Sequence, residues 1–302
     1  MDQCEKTGIL LCGGMGTRLF PITNTVNKHL LAIASKPMVY YSISVLLLMK
    51  IKRIILVCNP ADLKLFEQQL LPLRKLGLNL IFVEQKSPDG IVNAIEQAMP
   101  FVIHDNVTIM LGDNIFIGAN LSAFFRDAMQ GDQSCVTFTT KVHDPSRFGV
   151  VERSTSGAVA NLVEKPQNVS SNEVLTGLYH FKSEFLINNL QRVDYSIRSE
   201  KEIMDLLQFA NSKNKLKVVK LPRGVVWYDA GTFEDLDNAS NFILSAEART
   251  GEFICVPEEI MLRNEMVDVS NFLDVIDNYP AGIYKSYLHK LCNYLPISDQ
   301  RT

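Results

Sequence analysis

The sequence predicts an α/β fold, a largely parallel sheet covered by helices, with a helical stretch at the C-terminal end. Three observations carry this. Short runs rich in Val, Ile and Leu recur through the first half, amphipathic stretches of helical period separate them, and beyond about residue 232 the strand-like runs stop.

In order, the strand-like runs are "GILLC" (8–12), "RIILVC" (53–58), "LNLIFVE" (78–84), "VTIML" (107–111) and "SCVTFTTKV" (134–142). Helical patterns fall between them at 37–50, 61–71, 91–99 and 121–130. After about residue 143 the rhythm changes to strand-like pieces at 149–153, 158–163, 174–181, 216–220 and 225–228, with helices near 183–191 and 200–212. This second half is expected to extend the same sheet. The stretches from 232 to 250, 257–263, 268–277 and 281–293 are read as helices. The chain divides, on this reading, into a main domain over 1–237 and a helical extension over 238–302 packed on it, or forms a single domain. No internal repeat or low-complexity tract interrupts it.

Composition narrows the function classes. The 302 residues are 47% hydrophobic and 21% charged with a formal net charge of -3, so a globular chain is expected and any anion site must be a local cluster. Nucleic acid and membranes are not expected partners. Six cysteines show no C-x-x-C pair, and Cys12, Cys58 and Cys135 lie in or beside strand-like runs. They read as reduced core residues of a cytoplasmic protein. The opening "MDQCEKTG" is polar and mixed in charge, so a signal peptide is not expected, and "MVYYSISVLLLM" is too short to span a bilayer.

Chemistry concentrates at strand ends. Gly13-Gly14-Met15-Gly16-Thr17-Arg18-Leu19 follows the first strand. It lacks the G-x-x-x-x-G-K-[ST] of a Walker loop, and Leu19 stands where a dinucleotide fingerprint needs its third glycine. What remains is a turn that exposes backbone N–H groups to a ligand, with Arg18 placed to fork onto phosphate oxygens and Lys28 as a second cation. From the loop alone, an ordinary turn with a solvated arginine fits equally. Asp113 and Asp229 each follow an apolar strand, at the sheet edge where open α/β sheets bind ligands. Either alone reads as a turn residue, but together they suit Mg²⁺, which takes one or two protein carboxylates and completes its shell with water and phosphate. Gln85, ahead of the Ser87-Pro88-Asp89-Gly90 turn, offers an amide to a base edge. Glu164 and Lys165 offer an acceptor for sugar hydroxyls and a cation for phosphate.

These residues carry a resemblance. The sequence resembles the sugar-1-phosphate nucleotidyltransferases through G-G-x-G-T-R-L-x-P at 13–21, "KPMVYY" at 36–41, "SPDG" at 87–90, "LGDNIF" at 111–116, "RFGVVE" at 147–152, "EKP" at 164–166, "TGLY" at 176–179 and "ASNFI…PEEI" at 239–260. The resemblance implies a Rossmann-like mixed sheet and Mg²⁺-dependent transfer of a nucleotidyl group from dTTP or UTP to glucose 1-phosphate. The alternatives are another sugar 1-phosphate, or a diverged non-catalytic nucleotide-sugar binding or regulatory protein.

Carried over by position, Gly13, Gly16 and Thr17 cradle the nucleotide, Arg18 and Lys28 hold its phosphates, and Gln85 and Gly90 read the base. Asp113 and Asp229 are the metal ligands. Asn114, Gly149, Glu164, Leu175 and Tyr179 form the sugar pocket, and Lys165 holds the sugar phosphate. A homotetramer or dimer is implied. Departures stand beside these matches: His29 and Ala32 replace a usual Gln and Pro, Asn93 and Met204 replace a usual Gln and Thr, and Gly118-Ala119-Asn120 lacks a usual His near a regulatory site of the family. His29 admits two readings: beside Lys28 and a bound triphosphate it titrates near its reference value of ~6.5 and makes the nucleotide KM depend on pH between roughly 5.5 and 8, or it turns away into the loop and merely packs.

Overall fold

The computed structural model describes residues 6–168, 171–196 and 199–292. Cys4 and the last ten positions of the expected helical extension lie outside the described residues.

The chain enters through β1 (Lys6–Cys12), crosses a small ribbon of β2 (Ala32–Ile33) and β3 (Lys36–Pro37), and turns into α1 (Met38–Leu48). Then β4 (Arg53–Cys58), α2 (Leu63–Lys75), β5 (Asn79–Glu84), α3 (Ile91–Ala98) and β6 (Asn106–Leu111) alternate. The four longer strands pair in parallel in the order β5-β4-β1-β6. Parallel pairing demands a crossover between successive strands, so every strand end opens on the same edge. Helices on both faces explain why β1 and β4 are apolar almost throughout, with no alternation.

The second half comprises β7 (Asn114–Ile117), α4 (Leu121–Ala128), β8 (Cys135–Lys141), β9 (Gly149–Arg153), β10 (Val159–Glu164), β11 (Glu173–Lys182), α5 (Ser183–Asn189), α6 (Ile203–Ser212), β12 (Leu216–Lys220) and β13 (Val226–Asp229). As expected, it extends the sheet, to nine strands. The long β11 runs antiparallel to β6 on one side and to β8 on the other, and the β9/β10 hairpin abuts its start. The result is a mixed sheet whose parallel half carries the first glycine turn.

Two details differ from expectation. α2 does not stop before Pro72 but continues to Lys75, with the Leu76 N–H donating to the Pro72 carbonyl at 3.2 Å. A proline forfeits one helical bond, but Phe66, Leu70 and Leu73 are wholly buried on this helix. Each contributes roughly 1.5–3 kcal/mol by burial, enough to hold the helix through the break. β7 was not anticipated at all; its four residues pair antiparallel with β13 as a separate two-stranded ribbon.

α7 (Phe233–Thr250), α8 (Pro257–Arg263), α9 (Val269–Ile276) and α10 (Ile283–Cys292) complete the fold. α7 runs unbroken across residues 237 and 238, and α8 packs on the buried α1. Glu258 is wholly buried and accepts from the Tyr279 and Tyr284 hydroxyls at 3.1 and 2.8 Å. Lys36, 2% exposed, pairs with Glu247 at 3.1 Å. Buried charges are tolerated only with such partners; the Glu258 contacts hold α8 to the segments after it, and the Lys36–Glu247 pair ties α7 to the sheet-bearing part.

Candidate active site

The glycine turn leaves β1 with Gly14 and Gly16 at φ values of 90° and 59°, left-handed angles that a side chain disfavours. Thr23 folds back and donates its hydroxyl to the Gly16 carbonyl at 2.9 Å. Leu19 is wholly buried and pins the far end of the turn, which leaves Thr17 and Arg18 exposed. The Arg18 guanidinium lies against Gly231, where a Cβ would come within 2.6 Å of Nη2.

Lys28 and His29 are set by one buried asparagine. Asn27 Nδ2 donates to the Cys12 carbonyl at 3.2 Å and to Asp62 Oδ2 at 2.7 Å, which anchors this segment to the end of β1. Asn27 Oδ1 accepts from the His29 backbone N–H at 2.9 Å and bonds its Nδ1 at 2.8 Å. His29 is 2% exposed, and burial, then the Lys28 charge, push its imidazole down to about 3. The ring is therefore neutral throughout the range in which the sequence led us to expect titration. The expected pH dependence of nucleotide KM is corrected on this ground.

The carboxylates meet through the unanticipated ribbon. β6 leads into Gly112-Asp113, and in the β7/β13 register Asp229 stands opposite Asn114, with the Ala230 N–H donating to the Asp113 carbonyl at 2.9 Å. Lys28 Nζ donates to Asp113 Oδ2, and Asn114 Nδ2 donates to Asp113 Oδ1 at 2.9 Å. Burial alone would raise the Asp113 carboxyl, but Lys28 and these two bonds hold it well below the usual range. Asp229 has no hydrogen-bonding or ion-pair partner for its carboxylate among the described residues, and burial together with the Asp113 charge pushes it up to about 7.

This is the environment a cation relieves. Two hard oxygen donors, one already neutralised by lysine and one left in repulsion, fit Mg²⁺ completed by water and phosphate. Among the described residues no third His, Cys, Asp or Glu joins a metal-binding group.

A cleft of about 240 Å³ runs past these groups, lined by Gly13, Lys28, His29, Gln85, Gly90, Asp113, Glu164 and Lys165 among others. The structure thus brings the base, phosphate and sugar-phosphate candidates together. Glu200 and Glu202 also line it and were missed in the sequence, where a Glu-Lys-Glu run ahead of a helix reads as a solvated cap. Gly16, Thr17, Arg18 and Asp229 stand outside that lining, as do Asn114, Gly149, Leu175 and Tyr179. Asn114 is engaged at both ends, since its Oδ1 accepts from Trp227 Nε1 at 2.7 Å. Gly149 pairs with Glu164 across the hairpin, and a Cβ there would meet Met204 Cε at 2.7 Å and Leu175 Cδ1 at 3.1 Å. Leu175 and Tyr179 are buried at 5% and 3% exposure behind Glu164.

A mixed sheet with a cationic glycine turn and paired strand-end carboxylates defines an enzyme of nucleotidyl transfer. Residues 7–246 match the nucleotidyl transferase family model, and the chain belongs to that family. It is 38% identical over 287 residues to a glucose-1-phosphate thymidylyltransferase of Xanthomonas campestris pv. campestris, covering 95% of this chain and 97% of that one. The enzyme of the same name from Mycobacterium tuberculosis is 34% identical, with 94% and 98% covered. A solved Bacillus anthracis structure, described as a "putative glucose-1-phosphate thymidylyltransferase" in complex with a sucrose, has a TM-score of 0.72 at 28% identity, covering 78% of this chain and 94% of that one.

No helix among the described residues is long and apolar enough to cross a membrane.

Proposed function

We propose that this nucleotidyltransferase moves the thymidylyl group of dTTP, or the uridylyl group of UTP, to glucose 1-phosphate, releasing pyrophosphate. The observation that carries the reading is the meeting of Lys28, Asp113 and Asp229 between a base-reading end, Gln85 and Gly90, and a sugar-phosphate end, Glu164 and Lys165. The names of the relatives supply the two substrates.

The reaction joins a phosphate oxygen of the sugar to the α-phosphorus and breaks the α–β phosphoanhydride. That oxygen is already ionised, so no general base is required, and catalysis rests on positioning and charge. Lys165 holds the incoming phosphate. Lys28 and Arg18 offset negative charge on the triphosphate, and Arg18 has the planar fork that bridges two oxygens of the leaving pyrophosphate. Asp113 and Asp229 would hold Mg²⁺, which on binding would offset charge at the reacting phosphates. Glu164 accepts from sugar hydroxyls, with Glu200 and Glu202 as further acceptors.

A pyrophosphate-release assay crossing dTTP, UTP, CTP, ATP and GTP with a panel of sugar 1-phosphates tests this. Turnover confined to dTTP or UTP with glucose 1-phosphate supports it; a different sugar 1-phosphate as the sole acceptor contradicts the substrate assignment. A homotetramer or dimer, as the resemblance implies, is checked by light scattering on the same sample.

A further inference from the structure

We infer that Asn93 is a specificity-determining positioning residue: it fixes the Gln85 amide so that only an acceptor oxygen faces the nucleobase, and the cleft thereby selects bases that carry N–H at pyrimidine position 3. The inference rests on the nucleotide-binding reading of this cleft.

Gln85 is anchored before its side chain begins. Its backbone N–H donates to the Cys58 carbonyl at 2.8 Å, one step beyond the β4–β5 pairing, and the residue is 5% exposed. The side-chain nitrogen then has two partners: the Gly90 carbonyl at 3.2 Å and Asn93 Oδ1 at 3.3 Å. A primary amide has two N–H groups and these two acceptors use both. The Gly90 carbonyl cannot become a donor, and it is itself held by the Ala94 N–H at 3.3 Å in the first turn of α3. An amide turned end for end would set Gln85 Oε1 against that carbonyl. The Gly90 carbonyl thus holds one N–H, and Asn93 Oδ1 holds the other and stops the amide from rotating about that first bond.

Gln85 Oε1 is left to face the glycine turn, so close to Gly13 that a Cβ there would collide with it. Thymine and uracil present N3–H to such an acceptor. Cytosine presents a bare N3, and two acceptors facing each other leave both unsatisfied in a buried site. Asn93 does not line the cleft, so it acts through Gln85. Without it, the amide is held only at the Gly90 carbonyl and can turn as a unit, which presents an N–H to cytosine N3.

The test measures kcat/KM for dTTP, UTP and CTP at fixed glucose 1-phosphate, and Kd for dTTP and CTP, in the full chain and in Asn93→Ala and Asn93→Asp. In the unaltered protein dTTP and UTP are expected to exceed CTP by on the order of 10²-fold or more. Asn93→Ala should reduce that ratio about tenfold, while Asn93→Asp, which still accepts from Gln85, should keep it within about threefold. A fall in all nucleotides alike would show a merely structural role and overturn the inference, as would equal use of CTP by the unaltered chain or a lost ratio in Asn93→Asp. Selective dTTP binding without pyrophosphate release would support the base-reading lock and overturn the transfer reading instead.

Discussion

The two ends of the cleft are built on opposite principles. At the nucleotide end, parallel strands β1, β4, β5 and β6 deliver their turns to one edge, and the ligand-facing groups are backbone or amides locked by backbone, as in Gly13, Gly90 and Gln85. At the sugar end, β9, β10 and β11 run antiparallel, and the surface is made of side chains, Glu164 and a 47%-exposed Lys165, with the buried Leu175 and Met204 packed close to Gly149 behind them. Backbone turns tolerate sequence change and hold a common part, the nucleotide. Side chains are exchanged easily, so the sugar end is where acceptor choice is expected to vary.

The largest effect is expected where the ends meet. Asp113→Asn or Asp229→Asn should lower pyrophosphate release at least ~10²-fold, the scale of one preorganised electrostatic group, with an unchanged circular dichroism spectrum. Near-normal turnover in either would remove the carboxylate pair from the account. Arg18→Lys keeps the charge and loses the fork, so about a tenfold or greater loss of kcat/KM is expected; normal rates would leave Arg18 as a solvated turn residue.

A smaller effect should separate the halves. Gly149→Val places atoms against Met204 and Leu175, and is expected to raise the sugar 1-phosphate KM roughly tenfold while the nucleotide KM moves little. Equal rises in both constants would show that the packing around Gly149 serves the whole cleft.

The smallest effect concerns protons. His29 and His180 are buried, and burial pushes them down to about 3 and about 4. The unfolded chain takes up these protons near pH 6.5 and the folded chain does not, so each histidine lowers stability as pH falls below that point, by up to about 1.4 kcal/mol per pH unit. His180→Gln should flatten the acid limb of denaturant-unfolding curves. In His29→Gln, nucleotide KM between roughly pH 5.5 and 8 should superimpose on the unaltered protein, since the ring is neutral there.

What the sequence made legible follows the same division. The alternation of apolar runs and helical patterns was enough to place the parallel half, because its strands are continuous and its helices long. Gly13, Gln85 and Asp113 were legible because they closely follow strand ends, and Lys28 and Gly90 because the turns they belong to follow those strands in the sequence. The partnership of Asp113 and Asp229 rested on a four-residue ribbon strand whose register is a tertiary fact, invisible to periodicity. His29 looked like a titrating group because its burial, and the grip of Asn27, come from a fold in the chain that no local pattern reveals. α2 outlasted Pro72 for a like reason, since packing overrides a local breaker.

The division of the cleft is tested most directly by the two KM values of Lys165→Met. Lys165 lies at the sugar end with its Nζ 3.4 Å from Glu164 Oε1 and is the proposed holder of the acceptor's phosphate. A rise of about tenfold or more in the sugar 1-phosphate KM is expected, with the nucleotide KM within about twofold, for loss of one charge-assisted contact to phosphate. A rise confined to the nucleotide, or an equal rise in both, would contradict it.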